Sequence, residues 1–200
     1  MKSMSSSPLK RSDKAAATRA AILSAGRRAF AAHGYDGVGV RAIAAEAGVT
    51  AMMVNRYFGS KEGLFGEVVT DSMRDPIILT PENMAAPDMA RVFAEALVGI
   101  TARDAEPLDG FQILFRSTGS ETAARIARER IEHAHQAAAT SVVRVGHPSE
   151  RAALFLSLVA GFQLMRQVMG LDALAKADPA VLVDLLTPLI AEVLRPTARD

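Results

Sequence analysis

The chain has no cysteine among its 200 residues, which excludes disulfides, thiolate metal sites and cysteine nucleophiles and fits a reducing cytosol. It also lacks a long hydrophobic run. The longest nearly apolar stretch, Ala152 to Met165, covers fourteen positions and includes Ser157 and Gln163. A membrane-crossing helix needs about 20 apolar residues, so no membrane span is expected. The opening segment from Met1 to Pro8 contains no apolar core, so no secretory signal is expected. No segment combines strand alternation with β-branched enrichment. A Gly-rich phosphate loop and a nucleophile-elbow serine are missing too, so the sequence carries no cofactor or catalytic signature.

What is present is a chain that is 50% hydrophobic and 22% charged, enough apolar material for a sizeable helical core. Its net charge of +1 conceals a division. Residues 1–63 hold ten Lys/Arg against four Asp/Glu, a net +6, whereas residues 64–200 hold thirteen against eighteen, a net −5. A basic head on an acidic body points to a polyanionic partner for the head, because Lys and Arg displace the counterions condensed on phosphates. A solvated basic face would look the same by charge alone.

The pattern along the chain is helical almost throughout. Residues 1–12 are Ser-rich and aperiodic and read as a flexible basic arm containing Lys10 and Arg11. A first helix is expected from Asp13 to His33, with Ile22, Ala25, Ala29 and Phe30 inward. Gly34 suits the left-handed position after its end, and Tyr35 can then fold back on Phe30. Ser60 is a good N-cap for a helix reaching Met73. Asp75-Pro76 and Thr80-Pro81 break the pattern. Further helices are expected at 88–103, 107–117, 120–145 and 150–170. A last one opens at Asp178-Pro179 and carries Pro188 inside it, where a kink is expected.

The sharpest signal lies between Val40 and Phe58. Two short helices crossing steeply need a small residue at their contact, which Ala44 supplies. The turn between them needs a left-handed residue, and Gly48 adopts that conformation without steric cost. Val40, Ile43, Ala47, Val49 and Val54 fall on the inward face, and Thr50 is placed to cap the second helix. This is the pattern of a DNA-binding helix-turn-helix; a purely structural helical hairpin is the plainer alternative.

The run from Gly34 through Ala44-Ala45-Glu46-Ala47-Gly48-Val49 to Asn55-Arg56-Tyr57-Phe58-Gly59-Ser60-Lys61-Glu62-Gly63-Leu64-Phe65 resembles the DNA-binding domain of TetR-type regulators. The resemblance is strong over residues 15–66 and weaker beyond. It implies an all-α homodimer: an N-terminal helix-turn-helix domain of three short helices at 13–63, joined to a larger helical ligand-binding and dimerisation domain at 64–200. It further implies a repressor released from its operator by a small molecule. The chain departs from the family pattern at Gly39, where Ser or Thr usually caps the second helix, and at Asn55, where tyrosine is usual.

In a helix-turn-helix the N-terminal residues of the recognition helix meet base edges in the major groove. Thr50, Ala51, Met52 and Met53 occupy those positions, and their chemistry favours apolar contact with thymine methyls. Arg41 has the reach and fork for a guanine, at a position where the family places a base-contacting arginine. Asn55, Tyr57 and Lys61 match the family's phosphate-contacting positions. Lys61 opposes the dipole at the start of its helix, a penalty that a docked phosphate would reverse. Arg56, Lys10, Arg11 and Lys14 are further candidates for phosphate or minor-groove contact.

In the acidic body, Leu154, Leu158, Phe162, Met165 and Met169 form a stripe, and the last helix adds Val181, Leu182, Leu185, Leu186, Leu189, Val193 and Leu194. That is more apolar surface than one helix pair hides, so a homodimer through the helices at 150–170 and 178–195 is expected. Phe93, Leu97, Phe111, Phe115, Phe162 and Met165 are candidates to line a pocket for a largely apolar effector. His133 and His135 are two apart on a helix and diverge, so no metal site is expected. The competing reading from another class is a helical carrier or enzyme that uses its basic head for localisation only.

Overall fold

The computed structural model describes residues 8–105, 108–143 and 146–194, with side chains from Ser12 onward. Every regular element among them is helical: α1 (Pro8–His33), α2 (Val40–Glu46), α3 (Ala51–Phe58), α4 (Lys61–Ser72), α5 (Pro81–Met84), α6 (Met89–Ile100), α7 (Asp109–Arg116), α8 (Glu121–Ile131), α9 (Ala137–Val142), α10 (Pro148–Gln163), α11 (Asp172–Ala175) and α12 (Pro179–Leu194). The all-α expectation is met. Of the expected flexible arm, residues 1–7 lie outside the described residues, and Pro8–Ser12 already belong to α1.

Helix boundaries follow the capping chemistry closely. Gly34 takes φ 69°, and the Tyr35 ring stacks on Phe30 with centroids 6.1 Å apart, as the sequence predicts. The Ser60 hydroxyl accepts from the Gly63 N–H at 3.2 Å and opens α4. Asp178 accepts from the Ala180 N–H at 2.8 Å and opens α12, which continues past Pro188 without interruption. Thr80-Pro81, expected only as a break, instead starts a helix. The Thr80 hydroxyl accepts from the Asn83 N–H at 3.1 Å, and proline's missing N–H costs nothing at the first helical position.

Two helices carry a wider turn that no residue type announces. Glu132–Gln136 joins α8 to α9, and Leu164–Val168 extends α10, both with π-helical hydrogen bonding. The second of these turns brings Arg166 inward.

The chain divides into two compact units. The first comprises the described residues through Ser72 together with Gln112–Arg128; the second comprises Met73–Phe111 and the described residues from Glu129 on. The division falls after Ser72, where the sequence suggested 63, and it passes within α7 and α8.

In the first unit, α1 packs along α4, with Ile22, Phe30, Leu64, Phe65 and Val68 fully buried. Phe65 meets Phe30 edge-on at 5.1 Å and Tyr35 at 5.0 Å, a favoured aromatic geometry. Ion pairs Arg19–Glu67 at 2.8 Å and Arg27–Asp71 at 2.7 Å tie α1 to α4, and Arg28–Glu46 at 2.6 Å ties α1 to α2. In the second unit, α6 lies along α12, and α10 packs on α9 and α12. Phe93, Leu97, Phe155, Leu186 and Ile190 form the centre of that core.

Candidate nucleic-acid interface

The geometry of α2 and α3 follows from two residues. Ala44 is 2% exposed where the helices touch, and Gly48 takes φ 68° in the turn between them. The Ala47 N–H donates to the Ile43 carbonyl at 3.0 Å and the Val49 N–H to the Ala44 carbonyl at 2.9 Å, closing α2 into the turn. Ile43, Val54 and Phe58 anchor the pair in the core of the first unit. The Arg19 guanidinium sits 5.0 Å from the centre of the Phe58 ring and fixes the end of α3 against α1. Sequence reasoning missed Arg19, since nothing in its neighbourhood marks a cation–aromatic contact 39 positions away.

With the inward face of α3 fixed, its other residues are presented outward. Met52 is 78% exposed. Thr50, Asn55 and Arg56 are exposed, and Ala51, Met53 and Tyr57 are half-buried. Arg41, in the first turn of α2, is exposed. The structure therefore brings the base-reading candidates onto one accessible helix with Arg41 on its partner. One sequence expectation needs correction: Thr50 flanks α3 in extended conformation, but its side chain makes no capping hydrogen bond. Gly39, with no side chain, likewise leaves the start of α2 uncapped.

Lys61 is half-buried, with Nζ 4.2 Å from the centre of the Tyr35 ring. The ring face supplies part of what the helix dipole withholds, a contact that the sequence argument did not contain. The Tyr35 hydroxyl in turn donates to Glu62 Oε1 at 2.9 Å. Burial, followed by this hydrogen bond, pushes the Tyr35 phenol up to about 12. The Ser60 hydroxyl, the backbone amide and the Tyr35 hydroxyl hold the Glu62 carboxyl below its usual range. Lys14 is exposed on α1, while the side chains of Lys10 and Arg11 lie outside the described residues.

Phe93, Leu97 and Phe162 share the core of the second unit, and Phe111 is half-buried. Met165 is 45% exposed, and Phe115, which belongs to the first unit, is 39% exposed. Phe155, not singled out by the sequence, is 1% exposed and lies 5.5 Å from Phe93. No helix among the described residues is long and apolar enough to cross a membrane.

Two family models match the chain. One, described as bacterial regulatory proteins of the tetR family, matches residues 22–68; the other, described as a tetracyclin repressor-like C-terminal domain, matches residues 82–194. An HTH-type transcriptional repressor of Streptomyces coelicolor is 31% identical over 130 residues, and the match spans 65% of this chain and 65% of that repressor. Among solved structures, a TetR-family regulator from Streptomyces coelicolor superposes with a TM-score of 0.59 at 20% identity, covering 90% of this chain and 95% of the other. NalD, the secondary repressor of the MexAB-OprM multidrug efflux pump in Pseudomonas aeruginosa, superposes with a TM-score of 0.62 at 21% identity, covering 92% and 100%. These structural likenesses speak to the fold. Both matched segments, and the helix-turn-helix inside the first of them, place this chain in the TetR family of bacterial regulatory proteins.

Proposed function

We propose that the chain is an effector-responsive repressor that binds an inverted-repeat operator as a homodimer in the cytoplasm. The observation that carries this reading is the presentation of α3. Val54 and Phe58 lock its inner face while Met52 stands 78% exposed at its N-terminal end, where a recognition helix meets base edges. In this reading Thr50, Ala51, Met52 and Met53 read bases, chiefly thymine methyls, and Arg41 reads a guanine. Asn55, Arg56, Tyr57 and Lys61 hold phosphates and set the register.

Dimerisation is supported by apolar surface that one chain leaves uncovered. Leu154 is 59% exposed on α10, Met169 67% directly after its π extension, and Val181 51%, Leu185 62% and Leu189 53% on α12. Val181, Leu185 and Leu189 recur every four residues, so they form one face of α12, about 100° around the helix from the buried Leu182, Leu186 and Ile190. A second copy of the chain would cover that face and set two α3 helices about 34–36 Å apart, one turn of DNA.

Gel-shift titration against the DNA flanking the chain's own coding sequence, together with mass measurement by light scattering, tests the reading. Salt-sensitive, sequence-selective binding by a particle of dimer mass is expected. Binding that never exceeds that of random competitor DNA would contradict the regulatory assignment, and a concentration-independent monomer mass would contradict the dimer.

A further inference from the structure

The core of the second unit contains polar side chains that its own packing does not satisfy. Arg166 is 6% exposed, on the π turn that follows α10. Nη1 donates to the Val98 carbonyl at 2.8 Å and to the Thr101 hydroxyl at 2.9 Å, and Nε donates to the Leu174 carbonyl at 3.2 Å. All three partners are neutral. Among the described residues no carboxylate stands within ion-pair distance of the guanidinium, and Nη2 makes no hydrogen bond. Burial lowers the guanidinium's pKa from its ordinary value. A buried charge of this kind is costly unless an opposite charge meets it.

Two neighbours in sequence, one just before the π turn and one within it, share the condition. Gln163, three residues before Arg166, is 6% exposed, and its amide makes no hydrogen bond to a described residue. Gln167 donates from Nε2 to the Ile100 carbonyl at 3.1 Å, while its Oε1 is sealed from water without a partner. Turning that amide over would oppose Oε1 to the Ile100 carbonyl, so the orphan acceptor is a property of the site. Gln167 Oε1 is the one such atom among the described residues. The Gln163 amide and Arg166 Nη2 are not sealed from solvent in this way. Apolar rings stand beside this cluster: the Arg166 guanidinium lies 5.7 Å from the centre of the Phe162 ring, and Phe162 shares its core with Phe93 and Phe155.

We propose that Gln163, Arg166 and Gln167 form the polar end of the effector site, and that the effector is an apolar molecule bearing a carboxylate. The planar guanidinium already spends Nε and Nη1 on the end of α6 and on Leu174, leaving the two Nη2 hydrogens for an anionic oxygen. The Gln163 amide nitrogen adds a neutral donor, and Gln167 Oε1 takes a hydrogen from a ligand hydroxyl or N–H. The rings of Phe93, Phe155 and Phe162 accept the apolar remainder. The alternative is that Arg166 and Gln167 serve only as caps on the C-terminal carbonyls of α6, where a cation is welcome. This inference rests on the effector-responsive reading above and sharpens the class of molecule expected.

The test uses the full-length protein and matched probes: octanoate against octanol, and 4-phenylbutyrate against 4-phenylbutanol, followed by calorimetric titration and thermal shift. Wild type is expected to bind at least one acid about tenfold or more tightly than its alcohol, the effect of a hydrogen bond to a charged group. Arg166→Met should abolish that preference. Because Arg166→Met also uncaps α6, Gln163→Leu serves as the second variant; it removes no hydrogen bond between described residues and should reduce acid affinity severalfold with the melting temperature unchanged. Equal affinity for acid and alcohol overturns the proposal, and so does failure of every acid to bind at millimolar concentration. Preference retained in both variants also overturns the proposal and leaves Arg166 and Gln167 as caps on α6 alone. Operator binding is measured in parallel: its loss would sink the regulatory reading, whereas intact operator binding with no acid preference sinks this inference alone.

Discussion

Gly34 at the end of α1 lies directly against the carbonyl oxygen of Arg116 at the end of α7, so closely that a Cβ on Gly34 would collide with that oxygen. The contact belongs to a small latch. The Tyr35 N–H donates to the buried Ser117 hydroxyl at 3.0 Å, Arg116 Nη1 donates to the Ala32 carbonyl at 3.3 Å, and the Ser120 hydroxyl donates to Asp36 at 3.3 Å. Every partner belongs to the first unit. The latch holds the α7–α8 turn onto the segment that leads from α1 into the helix-turn-helix.

Gly34→Ala is expected to destabilise the protein through two additive causes. The left-handed backbone at φ 69° costs a β-carbon about 1–2 kcal/mol, and the collision with Arg116 adds overpacking of about 1–3 kcal/mol. Urea denaturation followed by circular dichroism checks the size. A loss below about 0.5 kcal/mol, the ordinary range of surface substitutions, would show that the turn relaxes freely.

Arg41 and Lys61 should fail differently when replaced. Arg41→Ala is expected to relax sequence preference at one base pair per half-site, a discrimination of about 1–3 kcal/mol. Lys61→Ala is expected to weaken binding about equally on operator and random DNA and to lower the salt slope by about 1. Competition gel shifts at several salt concentrations separate the two. Identical behaviour would show that the roles are misassigned.

Leu185→Glu distinguishes surface from core. Leu185 is 62% exposed on the single chain, so helical content should hold, whereas an α12–α12 contact would bury the new charge. Light scattering is expected to give monomer mass and gel shifts to give weak binding. Persistence of the dimer would move the interface elsewhere.

The latch and the interface also predict a pH dependence. The phenol of Tyr35 is raised from 10.0 to about 12, so the fold holds that proton more tightly than the unfolded chain does. Its contribution to stability is complete below pH 10.0 and is lost as pH rises through about 12. Tyr35→Phe retains the ring under Lys61 and should erase that alkaline decline. An identical decline in the variant would show that Tyr35 is not its source.

Much of the interface is readable from local rules. Gly34 and Gly48 have positive φ because a helix end and a tight turn require it, and Ser60 caps α4 because a hydroxyl reaches the third N–H. Local rules fail where several partners compete. Thr50 has the right side chain in the right place and makes no cap. The charge of Lys61 answers to the Tyr35 ring as well as to the helix dipole. Phe155, which nothing in the sequence singled out, sits beside Phe93.

The order of residues along the chain determined what depends on neighbours within a turn or two of helix: the all-helical class, the helix-turn-helix, the caps and the basic head. The inward face of α1, Ile22, Ala25, Ala29 and Phe30, was legible too, but tertiary structure alone decided which residues of the turn after α10 face inward. A π turn at Leu164–Val168 rotates the residues that follow relative to those before, and packing against α6 selects that rotation. Arg166 is buried for that reason, although nothing in its local sequence distinguishes it from a solvated arginine.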